Sequence, residues 1–325
     1  MNKAVLATMA SLLCCGSALA QSSAADYPSR PVVIIIPSPA GATSDRDARI
    51  WTKKLTESLG KPFVLDFKSG AGTTIGTNFV AKAVPDGHTL LNITSAFTIT
   101  AVTYKNLPYD PVRDFTPVAL LLRRPTMLTV HPSLPVRSLD EYIAYARAHP
   151  GELNFGSSGA ASNSHIIGAW LQSATNTKVT FIHYRGAAPM QLDLLAGRVN
   201  VAAMSITVGL PYIKAGKVRP IAILSPERSP LLPGMKTVAE QGTPDFDYSA
   251  WTGMLAPSGV PAAIINKLGA EFVKVSRSPD VIERFADDGT VLMNSTPVET
   301  RQYITAEINR WRRLVKEYDI RAEEE

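Results

Sequence analysis

The chain has 325 residues, of which 45% are apolar and 19% are charged, and it carries a formal charge of +5 at pH 7. This composition excludes a disordered or collagen-like chain and predicts a soluble globular protein. Because domains usually hold about 100–200 residues, we expect two lobes.

The first twenty residues have the order of a secretory signal peptide. Lys3 precedes an apolar stretch from Ala4 to Leu13, and Ala18-Leu19-Ala20 provides a small-x-small cleavage site. The apolar stretch is shorter than the about 20 residues that a membrane-spanning helix needs. We therefore predict cleavage after Ala20 and export to the periplasm.

Both cysteines, Cys14 and Cys15, lie within this predicted signal segment. We expect the mature protein to contain no cysteine, which excludes disulfides, thiolate metal sites and cysteine nucleophiles.

The excess of positive charge is spread along the chain. The cations alternate with anions, and only Arg123-Arg124 and the group Arg310, Arg312 and Arg313 are locally dense. We interpret these cations as a solvated surface and expect no nucleic-acid partner.

Strands alternate with helices along the first hundred residues. The β-branched run from Val32 to Ile36 predicts a strand buried on both faces, as in a parallel sheet. Apolar residues at helical spacing then predict a helix that ends at Gly60. The same order continues with a strand at 63–67, a turn at 70–72, a helix at 75–83 and a strand at 88–94.

The rest of the chain keeps this alternation. Strands are predicted at 154–157, 179–184, 199–204 and 218–224, and helices at 138–149, 162–173, 189–196, 261–276 and 298–318. This order predicts an α/β fold of two doubly wound lobes.

Two extended stretches are predicted to carry the chain between the lobes. They are Thr126–Val130 and Tyr248–Leu255. Lobe 1 is then discontinuous, with residues 25–125 and 255–325, and lobe 2 holds residues 126–254.

The glycines Gly70, Gly72 and Gly76 do not match a dinucleotide-binding loop. Their spacing is G-x-G-x-x-x-G instead of G-x-G-x-x-G, and the strand that ends near Thr94 carries no terminal acid to hold a ribose. We interpret the segment as a tight turn between a strand and a helix.

Hydrolase and metal motifs are incomplete in the sequence. Gly156-Ser157-Ser158-Gly159 resembles a nucleophile elbow, but Ala160 stands where G-x-S-x-G requires glycine. The five histidines form no H-x-x-x-H pair and have no close carboxylate at ligand spacing. We expect no catalytic residue and no metal site.

Two loops that follow strands and precede helices have a composition suited to anions. They span residues 37–44 and 156–164, and both are small and hydroxyl-rich. Backbone N–H groups, hydroxyls and the positive end of the following helix favour a carboxylate. Either loop alone is also compatible with a capped helix start. One such loop in each lobe, at the carboxyl ends of strands, indicates a cleft for a small carboxylate.

Asp45 follows the first of these loops, where a carboxylate pointing into the cleft repels an anionic ligand. We expect Asp45 to cap its helix or to lie in the first turn, because the helix dipole favours a carboxylate there.

The sequence resembles a known family at these loops and at many other positions in order. The matching segments are Tyr27-Pro28-Ser29-Arg30-Pro31, the loop 37–45, Gly70-Ala71-Gly72, 85–91, 107–111, Gly156 to His165, Tyr184-Arg185-Gly186, 213–217 and Ala256-Pro257. Over almost its whole mature length the chain is similar to the substrate-binding proteins of tripartite tricarboxylate transporters, also called Bug receptors.

The resemblance implies two α/β lobes of the type II periplasmic-binding, or Venus flytrap, kind, which close on a ligand in the cleft between them. It implies a receptor without catalysis and without a cofactor. Such a receptor captures a small aliphatic or aromatic mono- or dicarboxylate and presents it to two integral-membrane transporter subunits. We expect it to act as a monomer.

The chain departs from the pattern of the family at three places. Ser38 replaces an aromatic residue, Ala42 replaces a glycine, and Met204-Ser205 replaces an Asp-Asn pair that can meet a ligand amine. The replacement of the Asp-Asn pair disfavours an amino-acid ligand. It favours an apolar or aromatic acid, or a diacid if Arg185 lies nearby.

The predicted ligand-binding residues come from both loops and from the ends of further strands. In lobe 1 they are Ser38, Pro39, Ala40, Gly41, Ala42, Thr43, Asp45, Thr94 and Ser95. In lobe 2 they are Ser157, Ser158, Gly159, Ala160, Ser162, Asn163, His165, Arg185, Met204 and Ser205.

Two other functions stay open. A secreted serine hydrolase would use a serine near Ser158 and a histidine, and it would lose turnover in the S158A variant. A carboxylate receptor that signals to a membrane sensor needs the same cleft and differs only in what docks on its outer surface.

Overall fold

The computed structural model describes residues 25–160, 162–287 and 289–317. The predicted signal segment, with both cysteines and the cleavage site, lies outside the described residues. Within them, no helix is both long enough and apolar enough to cross a membrane.

Strand β1 (Val32–Ile36) is the middle member of a parallel group. It pairs with β2 (Phe63–Phe67) on one side and with β3 (Thr89–Thr94) on the other. Four of its five residues are buried, which confirms the burial that the β-branched run predicts. Helix α1 (Thr43–Leu59) follows β1 and ends at Gly60, whose φ of 70° provides the left-handed C-cap.

The remaining elements keep the alternation. The further strands are β4 (Phe115–Val130), β5 (Asn154–Ser157), β6 (Thr180–His183), β7 (Val201–Ser205), β8 (Arg219–Ile223), β9 (Ser249–Pro257) and β10 (Val291–Leu292). The further helices are α2 (Thr74–Ala81), α3 (Ala96–Thr103), α4 (Leu139–Ala148), α5 (Asn163–Ala174), α6 (Ala187–Leu195), α7 (Ile206–Lys214), α8 (Ala262–Ser276), α9 (Pro279–Ala286) and α10 (Pro297–Glu317).

The α/β fold is confirmed, with a mixed sheet. The described strands are hydrogen-bonded in the order β2-β1-β3-β9-β4-β7-β5-β6, and β8 and β10 also pair with β4. The groups β2-β1-β3 and β7-β5-β6 are parallel, whereas β9 and β4 run antiparallel to their neighbours. Each parallel group is covered by helices, as in a doubly wound fold.

Strand β4 joins the two parallel groups. Its residues up to Pro125 pair with β9, and its residues from Thr126 pair with β7 and β8. The partner changes at the residue where the sequence places the start of lobe 2. The division at 126 and 254 stays a prediction.

Helix α10 packs against the cores on both sides of this change of partner. Ile304, Ile308 and Trp311 recur at three- and four-residue intervals, which is the spacing of one helix face, and all three are buried. Ile304 and Ile308 pack with residues of β1 and β3, whereas Trp311 packs with Trp170 of α5.

The glycine-rich segment after β2 is a tight strand-to-helix turn, which confirms the interpretation from its spacing. Residues Ala71–Thr73 form a single 3₁₀ turn, and α2 begins immediately afterwards. A Cβ at Gly76 would lie 2.7 Å from the carbonyl oxygen of Lys68 and 3.0 Å from Cβ of Pro37. Gly76 therefore lets α2 approach the backbone closely.

Candidate functional site

A cavity of about 610 Å³ lies at the carboxyl ends of β3 and β7, beside the middle of β4. We call the residues that line it the cavity wall. Leu122, Arg124 and Thr126 alternate along β4 and all belong to the wall, because alternate side chains of a strand face the same side. Ala250 and Thr252 of β9 also belong to the wall.

Five helices begin at the cavity wall. The wall residues at these helix starts are Thr43 and Ser44 of α1, Ser95 before α3, Asn163 and Ser164 of α5, Ala187 of α6, and Ser205 and Thr207 at α7. The first N–H groups of a helix lack intrahelical partners, and the helix dipole is positive at that end. The cavity is therefore suited to an anion.

The first predicted loop meets the cavity through its last residues. Thr43 and Ser44 belong to the wall, whereas the residues from Ser38 to Ala42 lie outside it. The hydroxyls of Ser38 and Ser44 are hydrogen-bonded at 2.7 Å. The hydroxyl that replaces the aromatic residue of the family thus holds a wall residue in place.

Asp45 lies in the first turn of α1, as expected. It is buried, and its Oδ2 accepts a hydrogen bond of 2.8 Å from the N–H of Gly41. Its Oδ1 lies 2.7 Å from Nε of Arg49. The Gly41 bond and Arg49 hold the pKa of Asp45 below its usual value. Asp45 lies outside the wall and fastens the first loop to its helix.

The second predicted loop is tied together by Ser164. The Oγ of Ser164 accepts from the backbone N–H of Ser158 at 2.8 Å and lies 3.0 Å from Oγ of Ser158 and 3.1 Å from Oγ of Ser162. Ser162 is the N-cap of α5. Of this loop, Ser158, Asn163 and Ser164 belong to the cavity wall.

The wall also contains Thr94, Ser95, Met204 and Ser205, which the sequence predicts as ligand residues. Ser157, Gly159, Ala160, Ser162, His165 and Arg185 lie outside it. Arg185 is exposed to solvent. For residues outside the wall, contact with a ligand stays a prediction.

His165 packs among aromatic rings. Its ring centroid lies 4.7 Å from that of Phe181 and 4.6 Å from that of His183. Burial, assisted by the neighbouring His183, lowers the pKa of His165 to about 4. His165 therefore packs as a neutral ring in the first turn of α5, directly after the second loop.

A serine–histidine contact exists, but not at the serine that the hydrolase alternative names. Oγ of Ser157 lies 2.6 Å from Nδ1 of His183, and Ser157 is fully buried. The hydroxyl of Ser158 is hydrogen-bonded to the hydroxyl of Ser164. The contact therefore braces the end of β5 and does not present a nucleophile to the cavity.

An ion pair between Arg124 and Asp47 is the main feature of the wall that the sequence does not reveal. Nη1 of Arg124 lies 2.6 Å from Oδ2 of Asp47, and Nη2 lies 2.8 Å from Oδ1. The interpretation of Arg123-Arg124 as a solvated surface is wrong for Arg124, whose side chain is only 11% exposed. Strand alternation indicates only that Arg123 and Arg124 face opposite sides of β4, and it does not show which side meets α1.

The cavity wall also contains apolar side chains. They are those of Ile50, Leu122, Ile167, Met190, Met204 and Trp251. Such a surface favours the hydrocarbon part of a ligand.

Comparison with known proteins agrees with this architecture. The sequence model described as "Tripartite tricarboxylate transporter family receptor" matches residues 48–320. Protein BugT of Bordetella pertussis is 35% identical over 315 residues, which cover 96% of this chain and 97% of that protein. A protein encoded between tcbD and tcbE in Pseudomonas sp. strain P51 is 35% identical over 322 residues, which cover 99% and 96%.

Solved structures show the same fold. The R. palustris protein Rpa4515 with adipate has a TM-score of 0.82 at 33% identity, and the match covers 91% of this chain and 100% of that one. MatC from Rhodopseudomonas palustris, with bound malate, has a TM-score of 0.78 at 32% identity, with 89% and 100% covered. The periplasmic binding protein BugD has a TM-score of 0.79 at 30% identity, with 91% and 100% covered.

The fold and these relatives define a periplasmic solute-binding protein, not an enzyme. The chain belongs to the tripartite tricarboxylate transporter receptor family, which includes the Bug proteins. The resemblance in the sequence is therefore confirmed.

Proposed function

We propose that this protein captures a small carboxylate in the cavity and delivers it to a tripartite tricarboxylate-type transporter with two integral-membrane subunits. The observation that carries the proposal is the convergence of five helix starts on one cavity wall. Together they supply N–H donors and positive dipole ends, which favour a carboxylate. Adipate and malate in the structures of two relatives support the same ligand class.

The carboxylate group binds among Thr43, Ser44, Ser158 and Asn163 in this proposal. These side chains come from the starts of α1 and α5 and from the loop before α5, on opposite sides of the cavity. Thr94 and Ser95 add hydroxyls at the end of β3. The loop residues outside the wall hold these groups in position, as Asp45 does for the first loop.

The hydrocarbon part of the ligand lies against the apolar side chains of the wall. Met204 and Ser205 both belong to the wall, and the resemblance to the family implies an Asp-Asn pair at this place in many relatives. The wall therefore offers no carboxylate at that place for a ligand amine, which favours an aliphatic or aromatic acid over an amino acid.

Capture requires the two lobes to close on the ligand. In the proposal, residues 126–130 and 248–255 act as the hinge, and binding shifts the population toward the closed form. Export through residues 1–20, with cleavage after Ala20, places the monomeric receptor in the periplasm, where the family acts.

A thermal-shift screen followed by calorimetry tests the proposal. The panel contains aliphatic and aromatic mono- and dicarboxylates, citrate and acidic amino acids. A ligand at 100 times its Kd adds about 2.7 kcal/mol to the free energy of unfolding, which raises the Tm by several degrees. Carboxylates that raise the Tm should lose most of this effect in N163A and S158A but keep it in S58A, whose serine lies on the surface.

The absence of any shift, with no acid released on denaturing the protein, would contradict carboxylate binding. Co-purification of the ligand-loaded protein with transporter subunits would support delivery. Co-purification with a membrane sensor in their place would support the signalling alternative.

A further inference from the structure

The most buried cation of the cavity wall is already paired within the protein. Arg124 on β4 and Asp47 on α1 are 77 residues apart in the sequence and form two parallel hydrogen bonds of 2.6 and 2.8 Å. Their side chains are 11% and 8% exposed. Both residues belong to the wall, and this end-on geometry uses one N–H of each terminal nitrogen of the guanidinium.

The charges around the cavity are nearly balanced. Among the described residues of the wall, the charged ones are the arginines Arg46, Arg124 and Arg284 and the aspartates Asp47 and Asp287. The net charge of these wall residues is +1. A ligand with a single carboxylate complements this balance, because electrostatic complementarity favours a partner whose opposite charge matches in number.

We propose that Asp47 sets the charge selectivity of the cavity: by neutralising Arg124, it makes the cavity select acids with one carboxylate over diacids of the same length. This inference rests on the proposed carboxylate binding and names the ligand class more narrowly. Asp47 is a specificity-determining residue in this proposal, and it acts through Arg124.

The physical reason is the distance at which a second carboxylate meets Asp47. The Asp47 oxygens lie 2.6 and 2.8 Å from the terminal nitrogens of Arg124. Any anion that also bonds to this guanidinium lies within several ångströms of the Asp47 carboxylate. At that separation the repulsion between like charges offsets the attraction of Arg124. An uncharged ligand end beside the apolar side chains of the wall meets no such repulsion.

The neighbouring arginine provides a matched control. Arg123 belongs to the same strand but faces the other side, where Nη2 lies 2.7 Å from Oε2 of Glu227. Neither Arg123 nor Glu227 belongs to the cavity wall. Glu227→Gln therefore removes a carboxylate from an arginine of β4 without changing the charge of the cavity.

Hexanoate and adipate are suitable probes, because they share a chain of six carbons and differ by one carboxylate. Calorimetry at pH 7 gives the Kd of each acid for the wild type, D47N, E227Q and the double variant D47N/R124Q. We expect the wild type and E227Q to bind hexanoate at least about tenfold more tightly than adipate. D47N should shift this ratio toward adipate by at least about tenfold, and the double variant, which lacks both charges, should restore it.

Three results would overturn the inference. They are tighter binding of adipate than of hexanoate by the wild type, an unchanged ratio in D47N, and an equal shift in E227Q. If D47N does not fold, the Kd ratio of the two acids is compared between the wild type and the double variant. A ratio that differs between these two proteins would then contradict the inference. If the wild type binds neither acid nor any other carboxylate, the proposed function itself is wrong. A wild type that binds both acids with the ratio unchanged in D47N contradicts only the role of Asp47.

Discussion

The side-chain amide of Asn163 donates a hydrogen bond of 2.8 Å to the hydroxyl of Ser95, although the two residues are 68 positions apart. Ser95 precedes α3 at the end of β3, and Asn163 begins α5. The hydroxyl of Ser95 also lies 3.4 Å from that of Tyr248. All three residues belong to the cavity wall. This bond joins the two parallel groups of strands directly across the cavity.

We expect N163A and S95A each to lower the free energy of unfolding by about 0.5–1.5 kcal/mol, because each removes one partner of this bond. Their effects should not add, since either change breaks the same interaction. Urea denaturation of both single variants and the double variant measures the coupling. N309A, which changes an exposed asparagine of α10, is the control. Strict additivity of the two changes would show that the bond contributes nothing in solution.

Gly76 is expected to be intolerant of even one added methyl group. In an ordinary helix Gly→Ala stabilises by about 1 kcal/mol, but a Cβ here would meet the backbone oxygen of Lys68 at 2.7 Å. Backbone atoms cannot move aside as a flexible side chain can. We expect G76A to destabilise the protein by about 1–3 kcal/mol.

The control for this change is G234A. Gly234 has no neighbouring atom within 4 Å of an added Cβ, and its φ is not in the left-handed region. Its substitution should change the free energy of unfolding by less than about 0.5 kcal/mol. Thermal unfolding of the two variants tests the pair, and a G76A protein as stable as G234A would refute the packing argument.

The strands of the parallel groups could be predicted from sequence because they are short segments that contain apolar residues and are bounded by turns. β1, β2 and β5 begin and end at the predicted residues. Helix α3 was missed because Ala96–Thr103 is rich in threonine, isoleucine and valine, which favour strands unless tertiary contacts decide otherwise. Helix α7 is not predicted either, because it contains Pro211, a residue that normally ends a helix.

The candidate site could be predicted only where local sequence determines it. Helix starts and strand ends are local features, so Thr43 and Asn163 could be predicted from the former and Ser95 from the latter. The pair of Arg124 and Asp47 depends on which face of β4 meets which turn of α1. That relation is fixed by strand pairing and helix packing over 77 residues, and no local pattern records it.

His165 should make the protein sensitive to acid. Its pKa is lowered to about 4 in the folded protein, from an ordinary value of 6.5, because burial disfavours the charged ring. The unfolded chain therefore binds a proton that the folded protein does not bind between these pH values. This contribution to stability is fully present above pH 6.5 and is lost as the pH falls toward 4.

H165F tests this expectation, since phenylalanine keeps the ring contacts with Phe181 and His183 but cannot titrate. Urea denaturation at pH 7, 5.5 and 4.5 should show a smaller loss of stability on acidification in H165F than in the wild type. An NMR titration of the His165 ring gives its pKa directly. A measured pKa near 6.5 would remove the basis of this prediction.

Glu307 should produce the opposite dependence on pH. It is 5% exposed, its Oε2 accepts from the indole N–H of Trp251 at 3.3 Å, and its Oε1 lies 3.3 Å from Nη1 of Arg310. Burial raises the pKa of Glu307 above the ordinary 4.5, against the opposing effect of Arg310. The folded protein thus keeps a proton that the unfolded chain releases, and its stability falls as the pH rises through this interval.

E307Q keeps an acceptor for the indole N–H and removes the titration. Relative to the wild type, E307Q should therefore gain stability as the pH rises above 4.5. E299Q is the matched control on the same helix: hydrogen bonds from Thr296 lower the pKa of Glu299, so that its contribution is lost only as the pH falls below 4.5. Denaturation curves of the three proteins from pH 4 to 8 separate the two signs. A constant difference between E307Q and the wild type across this range would show that the pKa of Glu307 is the same in the folded and unfolded states.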